Sequence, residues 1–137
     1  MLLLKNIYKP KYRENNALIS ENNESISYND LIKKIENFSI NIKKRSLIFL
    51  QCKNNSESIV GYLGSIKSNC VISLMDEKIS DDSFIKLINK YHPDFIFFDK
   101  KNVKNLDNFF TVYSFGNYEL LEAKKKLKKN LTTIFLC

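Results

Sequence analysis

Ser46-Leu47-Ile48-Phe49-Leu50-Gln51-Cys52, then Asn54-Asn55-Ser56, then Ile59, Val60, Leu63 and Ile66, then Val71-Ile72-Ser73-Leu74-Met75: the reading of this run decides the fold. The apolar stretch at 46–52 is almost uninterrupted, as in a parallel strand covered on both faces. Asn54-Asn55-Ser56 supplies capping side chains, and the four aliphatic residues that follow recur at helical spacing. A second strand at 71–75 completes a strand, helix, strand unit, which closes as a right-handed parallel crossover. Gly61 and Gly64 stand inside the helix, where each costs close to 1 kcal/mol relative to Ala. With Ser65 they put small residues at i, i+3 and i+4, which predicts close approach of this helix to the sheet or to a neighbouring helix. Contact with a ligand is the weaker reading, because the glycines lie mid-helix and not at a helix N-terminus.

Upstream, Ala17-Leu18-Ile19-Ser20 and Glu24-Ser25-Ile26-Ser27 flank the polar turn Glu21-Asn22-Asn23 and predict a hairpin. Ser27 with Asp30 resembles a capping box, and Leu31, Ile35, Phe38 and Ile42 form the apolar face of the helix it opens. Residues 1–13 read as an extended N-terminal arm. Downstream, Ser80, Asp81 and Asp82 start a helix whose buried stripe is Phe84, Leu87, Ile88 and Tyr91. Pro93 ends it, and Asp94 to Asp99 is a short strand bounded by acidic residues. A polar connector at 102–108 leads to a strand at Phe109–Phe115, a helix at Tyr118–Lys129 and a last strand at Leu131–Cys137. The expected architecture is α/β: one domain over 1–137, an open, mostly parallel sheet with helices on both faces, preceded by a short N-terminal β-hairpin.

The formal charge is +7, from 22 Lys and Arg against 15 Asp and Glu. Only Arg13 and Arg45 are Arg, whereas base and phosphate recognition leans on the bidentate guanidinium, so a nucleic-acid partner is not expected. The densest stretch, Lys124-Lys125-Lys126-Leu127-Lys128-Lys129, follows Glu119 and Glu122 and reads as the solvated end of a helix. Cys52, Cys70 and Cys137 form no C-x-x-C pair and read as free buried thiols suited to a reducing compartment. Met1-Leu2-Leu3-Leu4 is interrupted by Lys5, too short for a secretory signal, and no run approaches a membrane span, so a cytoplasmic, membrane-free protein is expected. Catalytic constellations are missing: there is no H-E-x-x-H, G-x-S-x-G or P-loop. The lone His92 precedes Pro93 and reads as solvent-facing or capping, and Asp76, Asp81, Asp82, Asp94 and Asp99 read as caps at strand and helix ends.

Three segments in order lift the chain above an anonymous α/β domain. Ser27-Tyr28-Asn29-Asp30-Leu31 resembles the [TS]-Y-x-E-L motif of the adenylate-forming ligases, the superfamily of acyl-CoA synthetases, luciferases and peptide-synthetase adenylation domains. Asn54 to Asp76 resembles that family's N-S-x-E-x-(V/I)-x-x-x-L-A-x-L-K-A-G-A-x-x-x-P-L-D run. Phe84 to Asp99 is similar to its L-x-x-(I/L)-L-x-x-(S/A)-x-x-x-x-(L/I)-(I/L)-x-x-D pattern. The resemblance covers roughly residues 14–137. Departures are Lys43-Lys44-Arg45-Ser46 in place of the family's G-D, Lys67-Ser68-Asn69 in place of K-A-G, and Leu74-Met75-Asp76, preceded by Ser73, in place of P-L-D, so that the proline is lost. Asn69 suits a left-handed helix C′ position, for which Asn ranks after Gly.

The resemblance implies that the chain is the N-terminal subdomain of a larger ATP-dependent, AMP-forming, carboxylate-activating enzyme that makes an acyl-adenylate and then a thioester. Asp76 gives a lean towards an amino-acid-like substrate. In the family a Gly-, Ser- and Thr-rich phosphate loop follows the strand corresponding to Leu131–Cys137, and ATP, Mg²⁺ and substrate are held by later segments still. It therefore carries no catalytic, cofactor-binding or metal-ligating residue over onto residues 1–137, and the chain alone is expected to be inert. The implied partners are the rest of the ligase and, for the parent enzyme, a CoA or carrier-protein thiol. Self-association through an unfinished sheet edge is a further expectation. The alternative reading is a stand-alone Rossmann-like binding module with a basic surface, which steep salt-dependent retention on DNA or RNA would favour.

Overall fold

The computed structural model describes residues 2–102 and 106–124. Leu2–Ile7 forms a short helix, α1, and Pro10–Tyr12 a 3-10 turn with Pro at its start. The extended arm expected over 1–13 is thus helical in part: Leu4 and Ile7 have core surface to pack against, and they do so. Asn16–Ile19 (β1) and Ser25–Ser27 (β2) pair antiparallel around a turn in which Asn23 takes φ 60°. Ser27 caps α2 (Tyr28–Ser39), its hydroxyl accepting from the Asp30 N–H at 3.1 Å. Ile42 lies just past that helix and is still buried.

β3 (Leu47–Cys52), α3 (Ser56–Lys67) and β4 (Val71–Asp76) form the expected crossover, and Asn69 takes φ 56° between helix and strand. α4 (Asp81–Tyr91), capped by Ser80, leads through His92 to β5 (Phe95–Asp99). A left-handed His92, φ 48°, closes α4 and is solvent-exposed, fulfilling both halves of its expected role. Of the predicted α4 stripe, Phe84 is buried and Leu87 and Ile88 are half-buried, but Tyr91, the last residue of α4, is 52% exposed.

β6 (Phe109–Phe115) and β7 (Tyr118–Ala123) finish the described chain. β7 corrects the helix expected over 118–129. Gly116-Asn117 is a two-residue hairpin turn, with Gly116 at φ 55°, and it returns the chain antiparallel along β6. The Glu, Leu and Ala of β7 favour helix by propensity, but hydrogen-bonded neighbours on both sides override that preference. Residues 125–129 and the strand expected at 131–137 lie outside the described residues.

The five-stranded sheet has the order β4-β3-β5-β7-β6. β4, β3 and β5 are parallel, β7 runs against β5, and β6 against β7, so only β7 opposes the common direction. α2 and α3 cover one face, where Phe38 meets Phe97 edge-on at 5.0 Å. α4 covers the other, where Phe84 stacks on Phe98 at 4.5 Å. Both glycines of α3 serve close packing. A Cβ on Gly61 would fall 2.5 Å from the Phe97 ring of the sheet, and one on Gly64 would strike the Phe38 ring of α2.

Candidate functional site

In an open α/β sheet, ligands gather outside the carboxyl ends of parallel strands where successive connections leave in opposite directions. Here that point lies between β3, whose connection crosses to β4, and β5, whose connection leads to the β6–β7 side. The β3–β5 ladder is registered at Ile48↔Phe95, Phe49↔Ile96 and Leu50↔Phe97. Beyond it, side chains take over the pairing. Gln51 Oε1 accepts from the Asp99 backbone N–H at 3.0 Å, bridging the two strand ends.

Around this bridge lies a polar knot. Asn55 caps α3 by accepting from the Ser58 N–H at 2.9 Å, which turns Ser58 inward. The Ser58 hydroxyl accepts from the Lys53 N–H at 2.9 Å and donates to the Gln51 carbonyl at 3.0 Å. The Tyr118 hydroxyl, from β7, lies 3.2 Å from Ser58 Oγ and 3.4 Å from that same carbonyl. Lys53 Nζ pairs with Asp99 at 2.9 Å, and the other Asp99 oxygen accepts from the Lys101 N–H at 3.0 Å. One group is left over: Gln51 Nε2 is fully buried without a partner among the described residues. Alternation along β3 puts Gln51 on the α4 face with Phe49, beside its register partner Met75.

The electrostatics follow from that geometry. Burial pushes the Asp99 carboxyl up, but the Lys101 N–H and the Lys53 ammonium outweigh it and hold the group below its ordinary value. The hydrogen bond to Asp99 holds Lys53 above its own ordinary value, against the opposing effect of burial. A depressed carboxylate stabilises the fold above its unfolded pKa, and that contribution is lost as pH falls through the folded value. Asp99→Asn should therefore lower stability near neutral pH and flatten the loss seen in urea melts as pH falls from about 5 through the folded value, below about 4. Equal acid losses in both proteins would show that the pair contributes nothing to acid sensitivity.

This arrangement can hold strand ends and present amide and ammonium donors. It places no nucleophile beside a base, and no group of three or more metal-ligating side chains occurs among the described residues. The acidic residues expected to cap act as such in part. Asp76 accepts from the Lys78 N–H at 2.7 Å, and Asp94 from the Leu47 N–H at 2.8 Å, whereas Asp99 belongs to the knot. Cys52 is exposed at the end of β3 and Cys70 half-buried, so neither is the fully buried thiol expected from its apolar neighbours. Both are free, and burial pushes the Cys70 thiol up. Cys137 lies outside the described residues. A separate open groove of about 490 Å³ lies between α2 and the β6–β7 turn, lined by Asp30, Lys33, Lys34, Asn37, Glu57 and Phe115 among others. Its lining mixes acidic and basic side chains, and Lys34 Nζ lies 4.7 Å from the centre of the Phe115 ring. Among the described residues no helix is long and apolar enough to cross a membrane.

No protein-family model matches the chain, and neither does any curated protein. Solved structures do. The apo MatB structure from Rhodopseudomonas palustris superposes with a TM-score of 0.60 at 15% identity, over 69% of this chain and 20% of that one. IdnL1 superposes with a TM-score of 0.65 at 10% identity, over 93% of this chain and 30% of that one. The chain thus has an adenylate-forming-ligase-like fold. It spans less than a third of the length of either of these two proteins.

Proposed function

We propose that this chain is the N-terminal scaffold of an ATP-dependent, AMP-forming, carboxylate-activating ligase. The observation that carries the reading is the fold likeness over 93% of the chain at a TM-score of 0.65, in agreement with the three ordered motif segments. In the parent reaction a substrate carboxylate oxygen attacks the α-phosphorus of ATP and pyrophosphate leaves with the bond it breaks. A thiol then displaces AMP from the acyl carbon to give the thioester. Such chemistry depends on positioning and on charge neutralisation at the phosphates. Residues 2–102 and 106–124 contribute the packed sheet on which such a site is mounted, and the strand-end knot of Gln51, Lys53, Ser58, Asp99 and Tyr118 keeps its carboxyl edge rigid. Asp76 supports an amino-acid-like acid as substrate.

The 137-residue chain alone should therefore bind no MgATP. Titration calorimetry is expected to give no heat beyond dilution, and micromolar binding would overturn the scaffold reading. In its full natural context the same chain should support ATP–pyrophosphate exchange that depends on an added amino acid. Exchange with fatty acids alone would correct the substrate class and leave the reaction class standing.

A further inference from the structure

We propose that this chain associates with a second copy of itself by antiparallel pairing of β4 with β4, across a two-fold axis near Ser73 and Leu74. β4 is one edge of the sheet, and its outer N–H and C=O groups have no strand beside them among the described residues. Natural edges are blunted by Pro, Lys, bulges or brevity. β4 has none of these: Val71-Ile72-Ser73-Leu74-Met75-Asp76 keeps an unbroken six-pair register with β3. The opposite edge, β6, is interrupted by a register shift between Thr111 and Tyr113.

The apolar surface agrees. Register with β3 puts Val71 on the α4 face and Leu74 on the α3 face, and they are 49% and 54% exposed. Tyr62 of α3, the helix on the Leu74 face, is 40% exposed. Phe38 of α2 packs on Phe97 of β5 and Tyr113 of β6, so α2 lies away from β4, and the flank of α3 bearing Tyr62 turns towards the open edge.

Charge selects the occupant and its direction. The Val71 N–H bonds the Ser46 carbonyl at 2.8 Å, so exposed Lys43, Lys44 and Arg45 flank the amino end of β4, with Lys67 just before it. The carboxyl end carries Asp76 and Glu77, then Lys78, Asp81 and Asp82. Antiparallel pairing lays the acidic end of each copy against the basic end of the other.

Sedimentation velocity of the whole 137-residue chain tests this, from about 5 to about 500 µM, the range of a weak interface of this size. A reversible monomer–dimer equilibrium is expected, weakened by salt, abolished by Leu74→Lys and by Val71→Lys, and unchanged by Phe110→Lys on the opposite edge. Circular dichroism of each variant should match the parent, since all three side chains are about half exposed. Should one β4 variant fail to fold, the other gives the same reading. A strict monomer throughout, a dimer that survives both β4 variants, one lost in Phe110→Lys alone, or one strengthened by salt would each overturn the proposal.

Discussion

Phe97→Ala should destabilise the protein by about 3–5 kcal/mol, the range for emptying a buried aromatic site that cannot collapse. Phe97 is fully buried in the middle of β5, between Leu50 of β3 and Leu120 of β7. Its ring meets Phe38 edge-on at 5.0 Å and Tyr118 at 5.0 Å with a 54° tilt, so one side chain joins α2 to the sheet and to the hairpin. Domains of this kind hold about 5–15 kcal/mol in total, so the loss is a large share of it. The urea midpoint reads it directly: a fall in midpoint at unchanged slope is the expected result. A midpoint within error of the parent would mean the cavity collapses, and that this ring does not organise the core.

Gly64→Ala and Gly61→Ala should each destabilise, although alanine is the better helix former by close to 1 kcal/mol. Overpacking of a tight site costs about 1–3 kcal/mol and outweighs that gain. At Gly61 the new methyl would meet both Phe97 and Leu50, the latter at 2.8 Å; at Gly64 it would meet Phe38. The rings cannot withdraw, because Phe38 and Phe97 are packed against each other. The signature is non-additivity: in a Phe97→Leu background the Gly61→Ala penalty should shrink most, and the Gly64→Ala penalty should shrink less, because Phe38 loses the ring that backs it. Equal penalties at Gly61 in both backgrounds would show that the glycine answers to its helix and not to the ring.

β3 and β5 were legible because burial on both faces leaves unbroken apolar runs, β4 because its run is apolar although it lies half-exposed at the sheet edge, and the helices between them because Asn55 and Ser80, like Ser27 before α2, announce helix starts. β7 was not legible as a strand. Tyr118-Glu119-Leu120-Leu121-Glu122-Ala123 is composed of helix formers next to a lysine run, and the overriding influence is its position between β5 and β6, a tertiary fact. Gly116-Asn117 was the local sign of a hairpin. The strand-end knot had no local sign at all. Gln51 and Asp99 stand 48 positions apart, and Ser58 and Tyr118 stand 60 apart, so only the folded sheet brings them together.

The place of β7 in the sheet sets an order of assembly. A chain growing from its N-terminus completes β5 while the neighbour that will flank it on one side is still unmade. Until the hairpin arrives, Phe95-Ile96-Phe97-Phe98 forms an open hydrophobic border, the kind of segment that recruits strands from other molecules. Docking of β7 closes it and delivers the Tyr118 hydroxyl to the Gln51 carbonyl. Closure also brings Glu57 of α3 to the Asn117 N–H at 3.3 Å, fastening the hairpin tip to a helix made 60 residues earlier. Premature release of the nascent chain near residue 100 would thus yield an aggregating species, and docking of the hairpin is the step that covers the open border of β5.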